Sequence, residues 1–203
     1  MDMLPFLLLL LPLYLIAAIP TGVVVTRLLG LEDVRTRGSG NIGATNVYRV
    51  AGKLPGILTL LGDILKGLLP LLAVKLWLTP TPLQLGLAGV VAILGHCYPV
   101  YLRFKGGKGV ATALGIFVVL DPVAVLGGCA VFMLAVALTR YISVGSVLAA
   151  ITVPLLTMLR GEPPQLVLCA TTIGALIVWR HRDNLRRLCS GSENRLGSKP
   201  PSA

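Results

Sequence analysis

Long apolar runs broken only by short polar links dominate this chain, and a water-soluble core has no room for so many of them. A helix needs about 20 apolar residues to cross the hydrocarbon of a bilayer. The sequence offers seven candidate spans, at residues 3–26, 54–78, 83–101, 109–120, 122–139, 144–159 and 164–179. Over 203 residues the hydrophobic share is 55%, the charged share 13% and the mean hydropathy +0.86, which excludes an ordinary soluble domain. The expectation is an all-α integral membrane protein of seven helices, one membrane-embedded domain over 1–203 with a short disordered tail after about residue 196. The fourth run is short for a crossing, so it is expected to be tilted, broken or partly re-entrant, which is tolerated where backbone is buried in protein. The first run follows Asp2 rather than a basic segment and exceeds a usual signal-peptide core, so it reads as a retained helix.

A formal net charge of +10 would suggest nucleic acid in a soluble protein, but its distribution suggests a bilayer instead. If residues 27–53, 102–108, 140 and 180–203 share one side, that side collects all 18 Lys and Arg residues except Lys66, Lys75 and Arg160. The positive-inside rule makes that side cytoplasmic. The N-terminus then lies outside and the C-terminus inside, as an odd number of spans requires. The links TPTPL, DP and RGEPPQ fall on the opposite side.

Function in such a chain is sought where polar residues collect. The stretch GSGNIGATN at 38–46 spells the G-x-G-x-x-G of dinucleotide-binding folds. That fingerprint needs a strand before it and a helix after it, with an acid about 20 residues on to take a ribose hydroxyl. Here a membrane span precedes it, and the acid at that distance, Asp63, sits inside another apolar helix, so the dinucleotide reading fails. Extended to GSGNIGATNVYR, the segment places Ser39, Asn41, Thr45, Asn46 and Arg49 among Gly38, Gly40 and Gly43, which permit turns that point backbone N–H groups inward. It suits an anion, and equally a solvated loop whose glycines only make turns.

Three further clusters follow. GHCYPVYLRFKGGKGVAT, residues 95–112, is not a P-loop, because that pattern would need glycine at Leu102 and a hydroxyl residue at Gly109. It nonetheless interleaves Lys105 and Lys108 with Gly106, Gly107 and Gly109 just before an apolar helix, combining cations with a positive helix end. RYISVGS offers Tyr141, Ser143 and Ser146 at a helix entrance, where capping explains serines as well as ligand contact does. WRHRDNLRRLCSGSENR carries Arg180, His181, Arg182, Asn184, Arg186 and Arg187; anionic lipid would attract the arginines, but does not account for His181 and Asn184 on one helical face. Deeper in the second span, Asp63 and Lys66 are three apart and read as a neutralising pair facing the bundle interior. The four cysteines, Cys97, Cys129, Cys169 and Cys189, have no metal or disulfide spacing; two lie within apolar spans and read as small core residues, and Cys97, beside His96, reads as a packed thiol rather than a nucleophile. Four clusters rich in phosphate-binding residue types on one face point to one anionic site assembled from several loops, with a ligand that carries phosphate.

These motifs resemble those of the bacterial membrane glycerol-3-phosphate acyltransferases that use acyl phosphate, and the resemblance runs from the first helix to about Arg195. Two departures are small: Ala17 and Ala18 stand where the family commonly has Gly-Ser, and Arg195 stands for the usual Lys after Glu193. The resemblance implies a seven-helix enzyme of the bacterial inner membrane with its active site toward the cytoplasm. It would transfer an acyl chain from acyl phosphate to the 1-hydroxyl of glycerol-3-phosphate, giving 1-acyl-glycerol-3-phosphate and inorganic phosphate, with no cofactor or metal and no nucleic-acid partner. It assigns phosphate-binding roles to Ser39, Asn41, Arg49, Lys108, His181 and Asn184. It also places Ser143 or Ser146 near the ligand, makes Gly106, Gly107 and Gly109 a glycine-rich loop, and includes Thr45 and Asn46 in the first motif. Other glycerol-3-phosphate acyltransferases use a His and an Asp five positions apart, yet Tyr101 follows His96 and Arg186 follows His181 at that distance. Acyl phosphate is already an activated anhydride, so positioning and charge stabilisation remain as the protein's task. Arg49, Lys108 and the glycine N–H groups would hold the donor, while His181 and Asn184 orient the acceptor. The proton acceptor is either a substrate phosphate oxygen or His181. A transporter or channel for organic phosphates is the rival from another class, and would place polar residues on both sides of the midplane. A CDP-alcohol phosphotransferase would need clustered aspartates, which the sequence lacks.

Overall fold

The computed structural model describes residues 3–197, and all of its regular structure is helical. The tail expected after about residue 196 lies almost wholly outside the described residues. Ten α-helices follow in order: α1 Met3–Ala17, α2 Thr21–Leu28, α3 Ala44–Ala51, α4 Lys53–Leu78, α5 Pro82–Cys97, α6 Val110–Leu120, α7 Pro122–Thr139, α8 Ile142–Leu159, α9 Pro164–Arg180 and α10 Arg182–Cys189. Four of them, α4, α5 with the turn that extends it to Leu102, α7 and α8, are long and apolar enough to cross a bilayer; α1 and α2 make a fifth if the bent pair counts as one crossing. The chain is an integral membrane protein on this evidence of length and apolar character. Exposed leucines such as Leu8, Leu11, Leu126, Leu138 and Leu168 cover the outside of the bundle, where lipid replaces water as solvent.

The expected span 3–26 is two helices meeting at 42°. Pro20 removes an N–H at the break, and the Ile19 carbonyl there accepts from the Lys66 ammonium at 2.7 Å and from the Thr21 N–H at 3.0 Å. The span expected at 83–101 stops as an α-helix at Cys97, and the chain then turns. α6 has 11 residues, about 16 Å at 1.5 Å per residue, roughly half the hydrocarbon thickness.

Without a hydrophobic force between helices in lipid, small residues let backbones approach. α4 lies along α6 with reciprocal glycines: a Cβ at Gly67 would sit 2.3 Å from the Thr112 carbonyl oxygen, and one at Gly115 would sit 2.1 Å from that of Ile64. α7 pairs with α8, α8 with α9, α9 with α5, and α5 with α1. Asp63 and Lys66 face the interior, 2.9 Å apart and with side chains 4% and 7% exposed, as their spacing anticipates. The two links that contain Asp121 and Arg160 meet at one end of the bundle, where Arg160 Nε lies 3.2 Å from Asp121 Oδ1. The polar clusters gather at the other end, between the α4–α6 pair and the α7–α8 pair.

Candidate functional site

α3 is positioned by Asn46, which is buried and fully engaged with the loop before it. Its Nδ2 donates to the carbonyls of Val34, Arg37 and Asn41, and its Oδ1 accepts from the Ser39 N–H at 2.9 Å. The Gly43 N–H bonds Asn41 Oδ1, and the Gly40 N–H bonds the Arg37 carbonyl. These donors close the loop on itself, so the expected ring of inward N–H groups does not form. Gly38 and Gly40 adopt positive φ of 60° and 68°, and a Cβ on Gly38 would lie 2.4 Å from Asn46 Oδ1. Their conformation leaves Ser39, Asn41, Thr45 and Arg49 lining a cavity. Arg49 is half-buried and forms no ion pair among the described residues.

The second cluster folds back along the end of α5. The Gly106 N–H donates to the Cys97 carbonyl and the Gly107 N–H to that of His96, both at 3.2 Å. These two glycines therefore do not offer N–H groups to an anion, contrary to expectation, and they do not line the cavity. Tight packing explains them instead: a Cβ would lie 2.2 Å from the His96 carbonyl oxygen at Gly106 and 2.1 Å from His96 Nε2 at Gly107. Arg180 holds the loop from the far side, donating from Nε to the Gly107 carbonyl at 3.0 Å and from Nη2 to that of Gly106 at 2.7 Å, with its guanidinium over the Tyr98 ring. Beyond this clamp Lys108, Gly109 and the first turn of α6 enter the cavity, where helix N–H groups and a cation face the same space.

Lys108 donates to Asn184 Oδ1 at 2.5 Å, and Asn184 Nδ2 donates to Glu193 Oε1 at 2.6 Å. Glu193 also accepts from Ser143 Oγ at 2.9 Å and from Arg187 Nε at 2.7 Å. Burial alone would raise the Glu193 pKa, but the donors Asn184, Arg187 and Ser143 outweigh it and hold the carboxyl below its usual value. Burial is also the main influence on Lys108: it pulls the ammonium down to about 8, with nearby Arg187 and Arg180 adding to the shift and Glu193 opposing it. His181 is pushed down to about 4, again chiefly by burial. Its Nδ1 lies 2.8 Å from the Ile177 carbonyl, so the neutral ring donates there and keeps an Nε2 lone pair. Ser146, by contrast, returns its hydroxyl to the Ile142 carbonyl at 2.9 Å, although it still borders the cavity.

The cavity holds about 810 Å³ and has two chemical ends. At one end lie Ser39, Asn41, Arg49, Lys108, His181 and Asn184; from there it runs past His96 and Asp63 between mostly apolar side chains of α4, α6, α7 and α8. Its lining stops at Phe117, Val125 and Val153, while Leu120, Ala124 and Thr157, farther toward the opposite end, are buried outside it. A second, polar recess of about 240 Å³ shares Ser39, Asn41, Lys108, Asn184 and Arg187 with it and adds Arg180, Arg182 and Asp183. Eleven of the thirteen expected site residues thus border one space, all but Gly106 and Gly107. Sequence reasoning missed the hub made by Glu193 and the clamp made by Arg180. The signal for Glu193 was a lone carboxylate following a basic stretch, and a buried cation needs such a partner.

Similar proteins point the same way. A family model described as glycerol-3-phosphate acyltransferase matches residues 7–191. The chain is 57% identical over 194 residues to the glycerol-3-phosphate acyltransferase of Syntrophotalea carbinolica, covering 94% of this chain and 97% of that one. It is 49% identical over 182 residues to the protein of the same description from Geobacter sulfurreducens, covering 90% and 93%. Among solved structures, the glycerol 3-phosphate form of PlsY, an integral membrane glycerol 3-phosphate acyltransferase, superposes with a TM-score of 0.89 at 42% identity, covering 95% of this chain and 96% of that one. Its lysophosphatidic acid form gives 0.87 at 41% identity over the same shares. Similarity of this extent, carried along nearly the whole length by sequence and by fold, makes the chain a member of the glycerol-3-phosphate acyltransferase family.

Proposed function

We propose that the chain transfers an acyl group from acyl phosphate to the 1-hydroxyl of glycerol-3-phosphate, releasing inorganic phosphate and 1-acyl-glycerol-3-phosphate. The observation that carries this reading is a cavity with a cationic, hydrogen-bonding end and a mostly apolar arm whose lining stops at Phe117, Val125 and Val153. An acyl phosphate has the same division, and a transport path would continue through the bundle. Arg49, Lys108 and the α6 N-terminus hold the donor phosphate and stabilise charge developing on its carbonyl oxygen. Ser39 and Asn41 bind phosphate oxygens, and Asn184, fixed by Glu193, keeps Lys108 aimed. The acceptor oxygen attacks the acyl carbon, the bond from that carbon to the phosphate oxygen breaks, and the acceptor proton leaves. A histidine held near pKa 4 is a weak base, whereas a phosphate monoester has a second pKa of about 6. The proton therefore goes to a substrate phosphate oxygen, and His181 orients the hydroxyl through Nε2.

Purified protein should turn over acyl phosphate without added metal and leave acyl-CoA and acyl carrier protein unused as donors; robust turnover with acyl-CoA would overturn the donor assignment. Lys108 supplies a pH signature. Its ammonium is charged below about 8 and neutral above, so kcat/KM should fall as pH rises through that value. Bound phosphate favours the ammonium, so the same limb in kcat should lie at higher pH. A kcat/KM that stays flat to pH 9.5 would remove Lys108 from phosphate binding.

The same reading makes residues 1–203 one membrane-embedded domain of the bacterial inner membrane. It crosses seven times, counting the bent α1–α2 pair once and including the short α6 and α9, with the N-terminus outside and the site facing the cytoplasm. The charge asymmetry supports that orientation. In intact cells an impermeant thiol reagent should label a cysteine at Glu162→Cys, and the native exposed Cys189 only after permeabilisation. Labelling of Cys189 without permeabilisation would reverse the orientation.

A further inference from the structure

His96 is buried at the base of the lysine-bearing loop, and the reaction outlined above makes no use of it. Its imidazole is held on one edge by Thr112 of α6, whose Oγ lies 3.0 Å from Nδ1, with Asp63 Oδ1 3.7 Å from the same nitrogen. On the other edge the Gly107 backbone lies so close to Nε2 that a Cβ would be 2.1 Å from it. The His96 carbonyl meanwhile accepts the Gly107 N–H. Asp63 continues the contact to Lys66, and Lys66 to the Ile19 carbonyl at the α1–α2 break. One ring thus spans the gap between the residue before Lys108 and the first turn of α6. Thr112 and Asp63 are 0% and 3% exposed and His96 itself 3%, and His96 and Asp63 border the cavity, so the ring packs between the loop and α6 in the cavity wall.

We infer that His96 is a positioning residue, a rigid spacer that sets the height of the Gly107–Lys108 backbone above α6 and so aims the Lys108 ammonium at the phosphate end of the cavity. The inference rests on the proposed phosphate role of Lys108. The groups that face Lys108 are Asn184, Glu193, Arg187, Arg180, Asp183 and His181. None of them holds the backbone from beneath; Arg180 clamps the loop only by its carbonyls. Remove the ring and the loop loses its floor: Lys108 gains water, and a side chain at position 107 gains space.

The test is a cycle on the purified full-length protein: His96→Asn, which keeps a polar group near Thr112 but lacks the far ring edge, Gly107→Ala, and the double variant. Each single change should lower kcat/KM by about tenfold, and the double variant should be no worse than the poorer single, because the added methyl occupies the space the ring left. His96→Asn should also move the alkaline limb of kcat/KM upward, since a better-hydrated Lys108 holds its proton longer. If His96→Asn does not fold, Gly107→Ala is compared on wild-type and His96→Gln backgrounds, where the flexible amide should shrink the alanine penalty by about threefold or more. Losses that multiply, an alkaline limb that stays with the wild type, or an equal penalty on both backgrounds would overturn the inference. Lys108→Met separates the two failures. Full activity there removes the phosphate role itself, whereas an inactive Lys108→Met beside multiplying losses at 96 and 107 removes only the spacer.

Discussion

Lys108→Met should abolish nearly all acyl transfer while Lys105→Met keeps most of it. Lys108 is half-buried, borders both the cavity and the polar recess, and lies 2.5 Å from Asn184 Oδ1 within the Glu193 network. Lys105 is exposed, precedes the Arg180 clamp and borders neither space. Losing one preorganised charged donor from a transition-state site costs roughly 3 kcal/mol, on the order of a hundredfold or more in rate. Removing a solvated charge beside lipid headgroups costs about 1 kcal/mol of surface attraction and leaves chemistry alone. Methionine preserves the length and most of the volume of lysine, so both variants should insert and fold. Turnover of the two detergent-purified variants at saturating substrate, after matched unfolding curves, decides the point; similar modest losses would mean that both lysines serve only as membrane-edge anchors.

Lys66→Met should destabilise the protein by about 3–5 kcal/mol, because it strands the Asp63 carboxylate in the bundle and leaves the Ile19 carbonyl with only Thr21 as donor. The pair by itself is not strongly stabilising, since taking two charges out of water offsets their attraction. Asp63→Leu combined with Lys66→Met should therefore cost less than Lys66→Met alone. Unfolding midpoints in one detergent measure both. A double variant as unstable as the sum of the singles would show that the two residues act independently and not as a mutually neutralising pair.

The sequence by itself determined the solvent of this protein and the side of the bundle on which its polar chemistry gathers. Apolar runs that long are satisfied only as helices in lipid, because unpaired backbone in hydrocarbon costs several kcal/mol per group. Clusters centred on Ser39, Lys108, Ser143 and His181, far apart along the chain, share one face because each lies where a helix meets a polar link. The Asp63–Lys66 contact was legible for a local reason: three residues along a helix place two side chains on one face.

What each polar group does within that face was decided by tertiary structure. Asn46 and Ser39 sit in the same motif and both border the cavity, yet Asn46 has its amide engaged in tying the loop to itself. Gly106, Gly107 and Gly109 read as flexible donors, but the first two have their N–H groups engaged and exist as glycine because α5 passes too close for a side chain. The bend between α1 and α2 ends on a lysine 47 residues away. Glu193 follows the last helix, and only the packing of α8 and α10 around it brings Ser143, Asn184 and Arg187 to one carboxylate. Sequence spacing fixes neighbours within a helix turn; a hydrogen-bond partner from another helix is fixed by how closely two backbones approach, and that distance depends on every side chain between them.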